Sequence, residues 1–250
     1  MERVPEVTEK LEVDQRVRLN RDRVLRAAVS LADDIGIDWL SMRRLAQELR
    51  VVPMALYKHV SNKEELLDGM VEAVVAEIDP PAAGVDWKSA VRLRVLSARH
   101  SLQRHPWARR VLESRTTKTP AVLAYMDSFI GIFLAGGFSA DLAHHVMHAL
   151  GGRMWGFTQE LFEDPAAPVG QAAMPPAIQD VTLQQMAQLY PNIAVIAASS
   201  AHDNASVVGQ GCDDQFEFEF ALDLLLDGFE RLHRQGWSSR PRDARQRADG

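Results

Sequence analysis

The stretch from Ser41 to Lys63, SMRRLAQELRVVPMALYKHVSNK, carries the clearest structural signal in the chain. Its first half repeats apolar residues at i, i+3, i+4 and i+7, the spacing of one helix face; these are Met42, Leu45, Ala46 and Leu49. Ser41 can cap that helix, because its hydroxyl can accept a backbone N–H of the first turn. Pro53 falls in the first turn of a second helix, where its missing N–H costs no hydrogen bond. Two short helices around a tight turn predict a helix-turn-helix unit.

The side chains on the outer face of the second helix suit the major groove of DNA. They are Val52, Met54, Ala55, Tyr57, Lys58 and His59. Small apolar groups can touch a thymine methyl, whereas hydroxyl, amine and imidazole groups can bond base edges or phosphates. We therefore expect a DNA-reading surface here.

The charge distribution supports that expectation, although the net charge of the whole chain is −6. From Arg16 to Lys63 there are ten basic residues against five acidic ones, so this segment carries +5 and the remainder −11. Such asymmetry attracts phosphate to one end of a protein while the rest stays soluble. For any single arginine, a solvated helix surface remains the alternative interpretation.

Length and composition indicate a soluble, folded protein with room for a second domain. The chain has 250 residues, of which 46% are hydrophobic and 25% charged. A single cysteine, Cys212, excludes an intrachain disulfide framework. The first residues lack the apolar core of a secretion signal, and the apolar stretch 121–138 is interrupted and too short for a membrane span. We expect a cytoplasmic protein without a membrane partner.

Helical periodicity covers almost the whole chain, and no run of alternating strand residues occurs, so the fold class is predicted to be all-α. Asn20 can cap a first helix that reaches about Ile35, with Gly36 as its stop. Ser61 and Glu64 have the spacing of a capping box at the start of a fourth helix.

Beyond the fourth helix, Asp86, Thr119 and Ser139 are the predicted starts of three longer helices. The segment DPPAAGVD (79–86) is the predicted domain boundary, because it is rich in Pro and Gly. We expect a three-helix helix-turn-helix DNA-binding domain within residues 16–79, with the motif at about 41–60. A larger helical domain for ligand binding and dimerisation should span 86–236, with flexible ends at 1–15 and 237–250.

The region from Asn20 to Val74 resembles the amino-terminal domain of the TetR (tetracycline repressor) family of bacterial transcription regulators. The matching elements are the helix ending near Gly36, the stretch SMRRLAQEL (41–49) and the stretch ALYKHVSNKEELLDGM (55–70). Weaker matches to the carboxy-terminal domain of the tetracycline repressor subgroup are HPW (105–107) and FEFALDLLLDGFERL (218–232). The resemblance implies an all-helical homodimer with a ligand-binding carboxy-terminal domain.

The resemblance also implies roles for individual residues of the motif. Arg43 is a candidate for reading guanine, because its guanidinium fork can hold O6 and N7. Lys58 could read a base or bind phosphate, and both readings stay open. The base-facing candidates are Val52, Pro53, Met54 and Ala55, and the phosphate-positioning candidates are Tyr57, His59 and Lys63.

Arg50 departs from the family pattern, which usually has Gly in the turn between the second and third helices. A residue with a Cβ held there in the left-handed conformation costs about 1 kcal/mol, which a packed domain tolerates.

The apolar pattern of the last helix predicts that the protein forms a dimer. Its apolar residues follow a four-three-four spacing typical of a helix pair: Phe218, Leu222, Leu225 and Phe229. A second row, which includes Phe216, Phe220 and Leu224, widens the apolar surface. We expect a homodimer interface, with burial inside the monomer as the alternative. A two-fold dimer would bind a palindromic operator in double-stranded DNA.

The middle of the chain is the expected place for a small-molecule effector. The residues predicted to line its cavity are Trp107, Met126, Phe129, Phe133, His148 and Trp155, with Arg110, Tyr125 or His144 as polar anchors. An ordinary helical core is the alternative interpretation of the same residues.

The sequence favours a ligand-responsive repressor that a small molecule releases from its operator by shifting the fourth helix. One alternative is a DNA-binding regulator without an effector. Another is an all-helical enzyme using His144, His145 and His148, but no hydrolase, nucleotide-binding or zinc-protease motif accompanies them. The same histidines lack a third ligand at supporting spacing, so neither a metal nor a cofactor is expected.

Overall fold

The computed structural model describes residues 18–115, 117–155, 188–192, 195 and 214–239. These ranges contain helices and turns but no strand, which confirms the predicted all-α class. The α-helices are α1 (Arg21–Ile35), α2 (Met42–Glu48), α3 (Pro53–Leu56), α4 (Lys63–Ala76), α5 (Trp87–Arg104), α6 (Pro106–Ser114), α7 (Pro120–Ala135), α8 (Ala140–Trp155) and α9 (Asp214–Arg234). A short 3-10 turn, Ile37–Trp39, joins α1 to α2.

Most helix starts form where the sequence predicts them. The Asn20 side chain accepts the N–H of Arg23 at 2.8 Å, and the Ser41 hydroxyl accepts the N–H of Arg44 at 3.3 Å. Gly36 ends α1 with φ of 81°, a conformation that a residue with a Cβ rarely adopts. Local capping chemistry thus sets the bounds of the first helices.

The capping box predicted for α4 is wrong by one residue. Asn62 is the capping residue, since its side chain accepts the N–H of Glu65 at 2.8 Å. Glu65 in turn accepts the N–H of Ser61 at 2.7 Å, and this bond lowers the pKa of its carboxyl. The predicted partner, Glu64, instead forms an ion pair with Arg115, which the linear spacing does not reveal.

The chain divides into two compact units, one comprising residues up to 148 and from 230 onward, the other residues 149–229. In the first unit, one continuous apolar core joins the first four helices to α6 and α7. Its members include Val24, Ala28, Leu45, Leu56, Leu66, Met70, Trp107, Val111 and Val122. The helix-turn-helix is therefore packed rigidly on the helices that follow it.

A second, aromatic cluster in the same unit fixes α5, α7 and the start of α8. The ring of Phe138 lies 4.7 Å from Trp87 and 5.3 Å from Phe133, both edge-on. Gly136 allows this close approach, because a Cβ there would come within 2.8 Å of Trp87. None of the helices in the described ranges combines the length and apolarity that crossing a bilayer requires.

Candidate nucleic-acid interface and effector domain

The turn of the helix-turn-helix has the geometry expected from its sequence. Arg50 has φ of 53°, so it adopts the left-handed conformation. The N–H of Val51 then bonds the carbonyl of Ala46 at 2.9 Å, which closes α2. This confirms the strained arginine at the position where the family pattern has Gly.

Apolar side chains at the start of α3 are exposed. Val52 is 68% exposed and Met54 is 72% exposed, whereas Leu56 and Val60 are buried in the core. The α-helical part is a single turn, and Tyr57, Lys58 and His59 continue as a hydrogen-bonded turn. Exposed apolar groups beside polar ones suit base edges in the major groove.

Basic side chains on α2, in the reading turn and at the start of α4 are also exposed. Arg43, Lys58 and Lys63 are all exposed, as a contact with DNA requires. The guanidinium of Arg44 lies 5.5 Å above the ring of Trp39, which is itself exposed. Arg44 lies on α2 and Trp39 on the 3-10 turn before it. This pair was not predicted from the sequence, because the two residues belong to different elements.

The junction of α5 and α6 holds the ends of α1 and α4. His105 Nδ1 contacts Asp33, at the end of α1, and His105 Nε2 lies 3.1 Å from Glu77, which follows α4. Trp107 Nε1 donates to Asp33 Oδ1 at 2.6 Å. Sequence reasoning missed this cluster. Trp107, which was predicted to line the effector cavity, belongs to the core that joins α6 to the DNA-binding helices.

The other residues predicted to line the effector cavity differ in their exposure. Phe129 and Phe133 are buried and pack edge to face, with ring centroids 5.7 Å apart. Met126 and His148 are exposed, and the side chain of Trp155 lies outside the described residues.

The three residues predicted to anchor the effector through polar groups also differ in their exposure. Arg110 is exposed and pairs with Asp38, so it does not point into the helical core, and its hydrogen bonds lower the pKa of Asp38. His144 is exposed on α8. Tyr125 alone lies inward, and burial raises the pKa of its phenol.

Arg94 is a buried cation that the sequence reading did not single out. One of its terminal nitrogens donates to the carbonyl of Asp79, and the other donates to the hydroxyl of Ser128 at 2.7 Å. Its guanidinium carbon lies 4.7 Å from the ring centroid of Tyr125. The signal was present, because Arg94 interrupts an apolar stripe of α5 formed by Val91, Ala98 and their neighbours.

The last helix buries the row that was assigned to the dimer interface. Phe218, Leu222 and Phe229 are buried within the chain, and Leu225 is half-buried. A side chain covered by its own protomer has little surface left for a partner, so this burial favours the alternative of packing within the monomer. The outward row is Phe216, Phe220 and Leu224, all exposed.

The histidines of α8 lie on an exposed face. The ring of His144 is 4.6 Å from that of His148 and 5.2 Å from that of His145. Within the described ranges, no group of three or more His, Cys, Asp or Glu side chains is arranged to hold a metal ion.

A helix-turn-helix with an exposed, basic reading turn, packed on a larger set of helices, defines the class of helical DNA-binding regulators. A family model described as "Bacterial regulatory proteins, tetR family" matches residues 24–70. One described as "Tetracyclin repressor-like, C-terminal domain" matches residues 80–233. The chain belongs to the TetR family.

Individual relatives agree with this assignment. An HTH-type transcriptional regulator of Saccharopolyspora erythraea is 35% identical over 121 residues, 48% of this chain and 51% of that protein, so the match spans about half of the relative. The HTH-type transcriptional repressor DrrR1 of Streptomyces coeruleorubidus is 29% identical over 222 residues, 86% of this chain and 78% of that protein.

Among solved structures, the Streptomyces coelicolor TetR family protein ActR in complex with actinorhodin has a TM-score of 0.61 and 27% identity. That alignment covers 86% of this chain and 98% of ActR.

Proposed function

We propose that this protein is a ligand-responsive transcriptional repressor, which binds a palindromic operator as a homodimer and leaves it when a small molecule binds the carboxy-terminal helices. The observation that carries the proposal is the exposed, partly apolar α3 of a helix-turn-helix whose other face is buried. DrrR1 is a repressor by name, and ActR was solved with actinorhodin bound, which supports both halves of the proposal.

The reading surface would divide its work between bases and phosphates. Val52, Met54 and the adjacent Pro53 and Ala55 would face bases, where apolar groups meet thymine methyls. Arg43 on α2 would read guanine, and Tyr57, His59 and Lys63 would position the protein on phosphates. Their placement around one exposed turn supports this division.

Dimerisation would use the outward row of α9, Phe216, Phe220 and Leu224. These residues are spaced four apart, so they form one stripe along the helix. Burying such a stripe against its symmetry mate removes apolar surface from water at about 25 cal/mol per Å². A two-fold pair would place two α3 turns about 34 to 36 Å apart, the spacing of consecutive major grooves.

Helix α4 would couple the two functions. Its first turn follows the reading turn directly, and its end is bonded to α5 through Glu77 and Arg104 and through Val74 and Ser101. An effector that displaces α5 would therefore move α4 and the reading turn. A coupling free energy of about 1 to 3 kcal/mol suffices for a useful switch.

The test is operator binding by fluorescence anisotropy, with DNA fragments flanking the protein's own gene. We expect tight, salt-sensitive binding to one fragment, with Arg43→Ala weakening it and Arg109→Ala, an exposed arginine on α6, leaving it unchanged. Equal, weak binding to every fragment at low salt would refute a sequence-specific regulator. Specific binding that no compound of a metabolite and antibiotic panel reverses would favour a regulator without an effector.

A further inference from the structure

Within the part of the chain that the structure describes, the side chain of Arg94 is a buried cation without an anion. Only 6% of the residue is exposed. Within the described residues its hydrogen-bond acceptors are a backbone carbonyl and a hydroxyl, both neutral, and no carboxylate forms an ion pair with it. Burial lowers the pKa of Arg94, and the nearby Tyr125 opposes that shift in part. Burying an unpaired charge is costly, and proteins normally supply a counter-ion.

The third nitrogen of the guanidinium is also unsatisfied. Arg94 Nε is buried and has no hydrogen-bond partner among the described residues. An arginine can donate five hydrogen bonds, and its planar fork matches carboxylates and other planar oxyanions. Arg94 thus retains unused donors in addition to an uncompensated charge.

The surroundings of Arg94 are aromatic on one side. Its guanidinium lies over the ring of Tyr125, and Tyr125 stacks on Phe129 with the ring planes 9° apart. Because burial raises the pKa of the Tyr125 phenol, that group stays protonated and can donate a hydrogen bond. The region therefore places a cation, a neutral donor and two aromatic rings next to one another.

We propose that Arg94 is the charge-reading residue of the effector site, and that the effector is a planar aromatic acid whose carboxylate or ionised phenol pairs with this guanidinium. The proposal rests on the proposed function, since it specifies the ligand class of the effector domain. Tyr125 and Phe129 provide the aromatic contacts, and the buried charge excludes neutral analogues of the same shape.

The same side chain links ligand charge to the DNA-binding domain. Arg94 donates to the carbonyl of Asp79, just beyond α4, while the N–H of Asp79 donates to Ser97 on α5. A carboxylate adds to the guanidinium an ion pair and a bidentate fork geometry that the neutral Asp79 carbonyl does not offer. An effector anion competes with the Asp79 carbonyl for the guanidinium, and its binding loosens the end of α4.

The test uses matched pairs of probes that differ in charge but hardly in shape. Benzoic, 1-hydroxy-2-naphthoic and anthraquinone-2-carboxylic acids are each compared with their methyl esters, by calorimetry and by release of labelled operator from the full-length protein. We expect at least one acid to bind at least tenfold more tightly than its ester, and Arg94→Gln to abolish that preference. Arg92→Gln, on the same helix, should retain it. Arg94→Lys, which keeps the charge but lacks the fork, should retain part of it.

Three results would overturn the inference. They are esters binding as tightly as all of the acids, no acid binding at all, or Arg94→Gln preferring acids as the wild type does. A fall in melting temperature for Arg94→Met with unchanged acid preference would likewise show that the guanidinium serves only as a crosslink. Operator binding by the ligand-free protein is measured first. Its failure refutes the proposed function, whereas intact operator binding without charge discrimination refutes only the role of Arg94.

Discussion

His105 Nδ1 lies 2.9 Å and 3.0 Å from the two carboxylate oxygens of Asp33, seventy-two residues earlier in the chain. The other ring nitrogen faces the carboxylate of Glu77. An ionised carboxylate only accepts hydrogen bonds, so a ring nitrogen that carries a proton can donate to the acid it faces. One imidazole thus joins the end of α1 to the residue that follows α4.

Replacing this imidazole should destabilise the protein. His105→Phe keeps a ring of similar size but leaves Asp33 and Glu77 without a shared donor, and we expect a loss of about 1 to 3 kcal/mol in the free energy of unfolding. Urea denaturation followed by circular dichroism measures the change. Asp38→Asn is the matched control, because it removes an exposed ion pair with Arg110. Equal effects of the two variants would contradict a stabilising role for His105.

Replacing Arg50, the left-handed residue of the turn, with glycine should stabilise the protein. Arg50→Gly relieves a positive φ that disfavours residues with a Cβ, and we expect a stability gain of up to about 1 kcal/mol. Arg50→Ala removes the charge but keeps the strain, so it should not stabilise the protein. Thermal denaturation of both variants provides the comparison. A gain in Arg50→Ala equal to that in Arg50→Gly would mean that charge, not backbone strain, limits this turn.

The division of labour in the reading surface predicts two different DNA phenotypes. Arg43→Ala should cost about 1 to 3 kcal/mol and relax preference at one base pair, because it would remove the proposed base contact. Lys63→Ala should weaken binding to all sequences alike and reduce the salt dependence, because it would remove the proposed phosphate contact. Binding selection from a randomised operator library measures both. Identical sequence preferences in the two variants would refute the division.

The outward row of α9 predicts which substitution produces monomers. Phe220 is 54% exposed, so Phe220→Asp should leave the protomer folded while placing two like charges in the proposed interface. Leu93→Asp on α5 is the control, since Leu93 is 52% exposed and lies outside that row. Sedimentation velocity should show a monomer for the first variant and a dimer for the second. A persistent Phe220→Asp dimer would place the interface elsewhere.

Asp141 should contribute to resistance against acid. Its carboxylate accepts hydrogen bonds from Ser239, through Oγ at 2.6 Å and N at 2.7 Å, and from Ser238 Oγ at 3.0 Å. The bonds from Ser239 are the main cause that lowers the pKa of Asp141 from 3.8 to about 2. The stabilisation is therefore present above the ordinary pKa and is lost as the pH falls through the native one.

Asp141→Asn isolates this contribution. The variant should lose less stability than the wild type between pH 4 and about pH 2, the interval between the two pKa values of Asp141. Melting temperatures measured across this interval, with Ser30→Ala on α1 as a surface control, check the prediction. Parallel acid profiles for the wild type and Asp141→Asn would show that Asp141 does not titrate with an abnormal pKa.

Local features of this protein could be predicted from neighbouring residues. The caps Asn20 and Ser41, the stop at Gly36 and the left-handed Arg50 all depend on hydrogen bonds or backbone conformations within a few positions. The exposed face of α3 also followed from helical spacing, since Leu56 and Val60 are buried while Val52 and Met54 face outward. Short-range chemistry is sufficient for such elements, and it identified the helix-turn-helix.

Only the tertiary structure could show which apolar row of α9 is buried within its own protomer. It was also needed to show which charged side chains from distant parts of the sequence come into contact. Spacing predicted two rows on α9 but not that its own protomer buries Phe218 and leaves Phe220 outside. Trp107 is an aromatic residue of the kind that often lines cavities. Its indole N–H nevertheless donates to Asp33 on another helix. The contacts of Asp33 with His105 and of Asp79 with Arg94 arise from packing between separate helices, because side chains far apart in sequence become neighbours only when a common core brings their helices together.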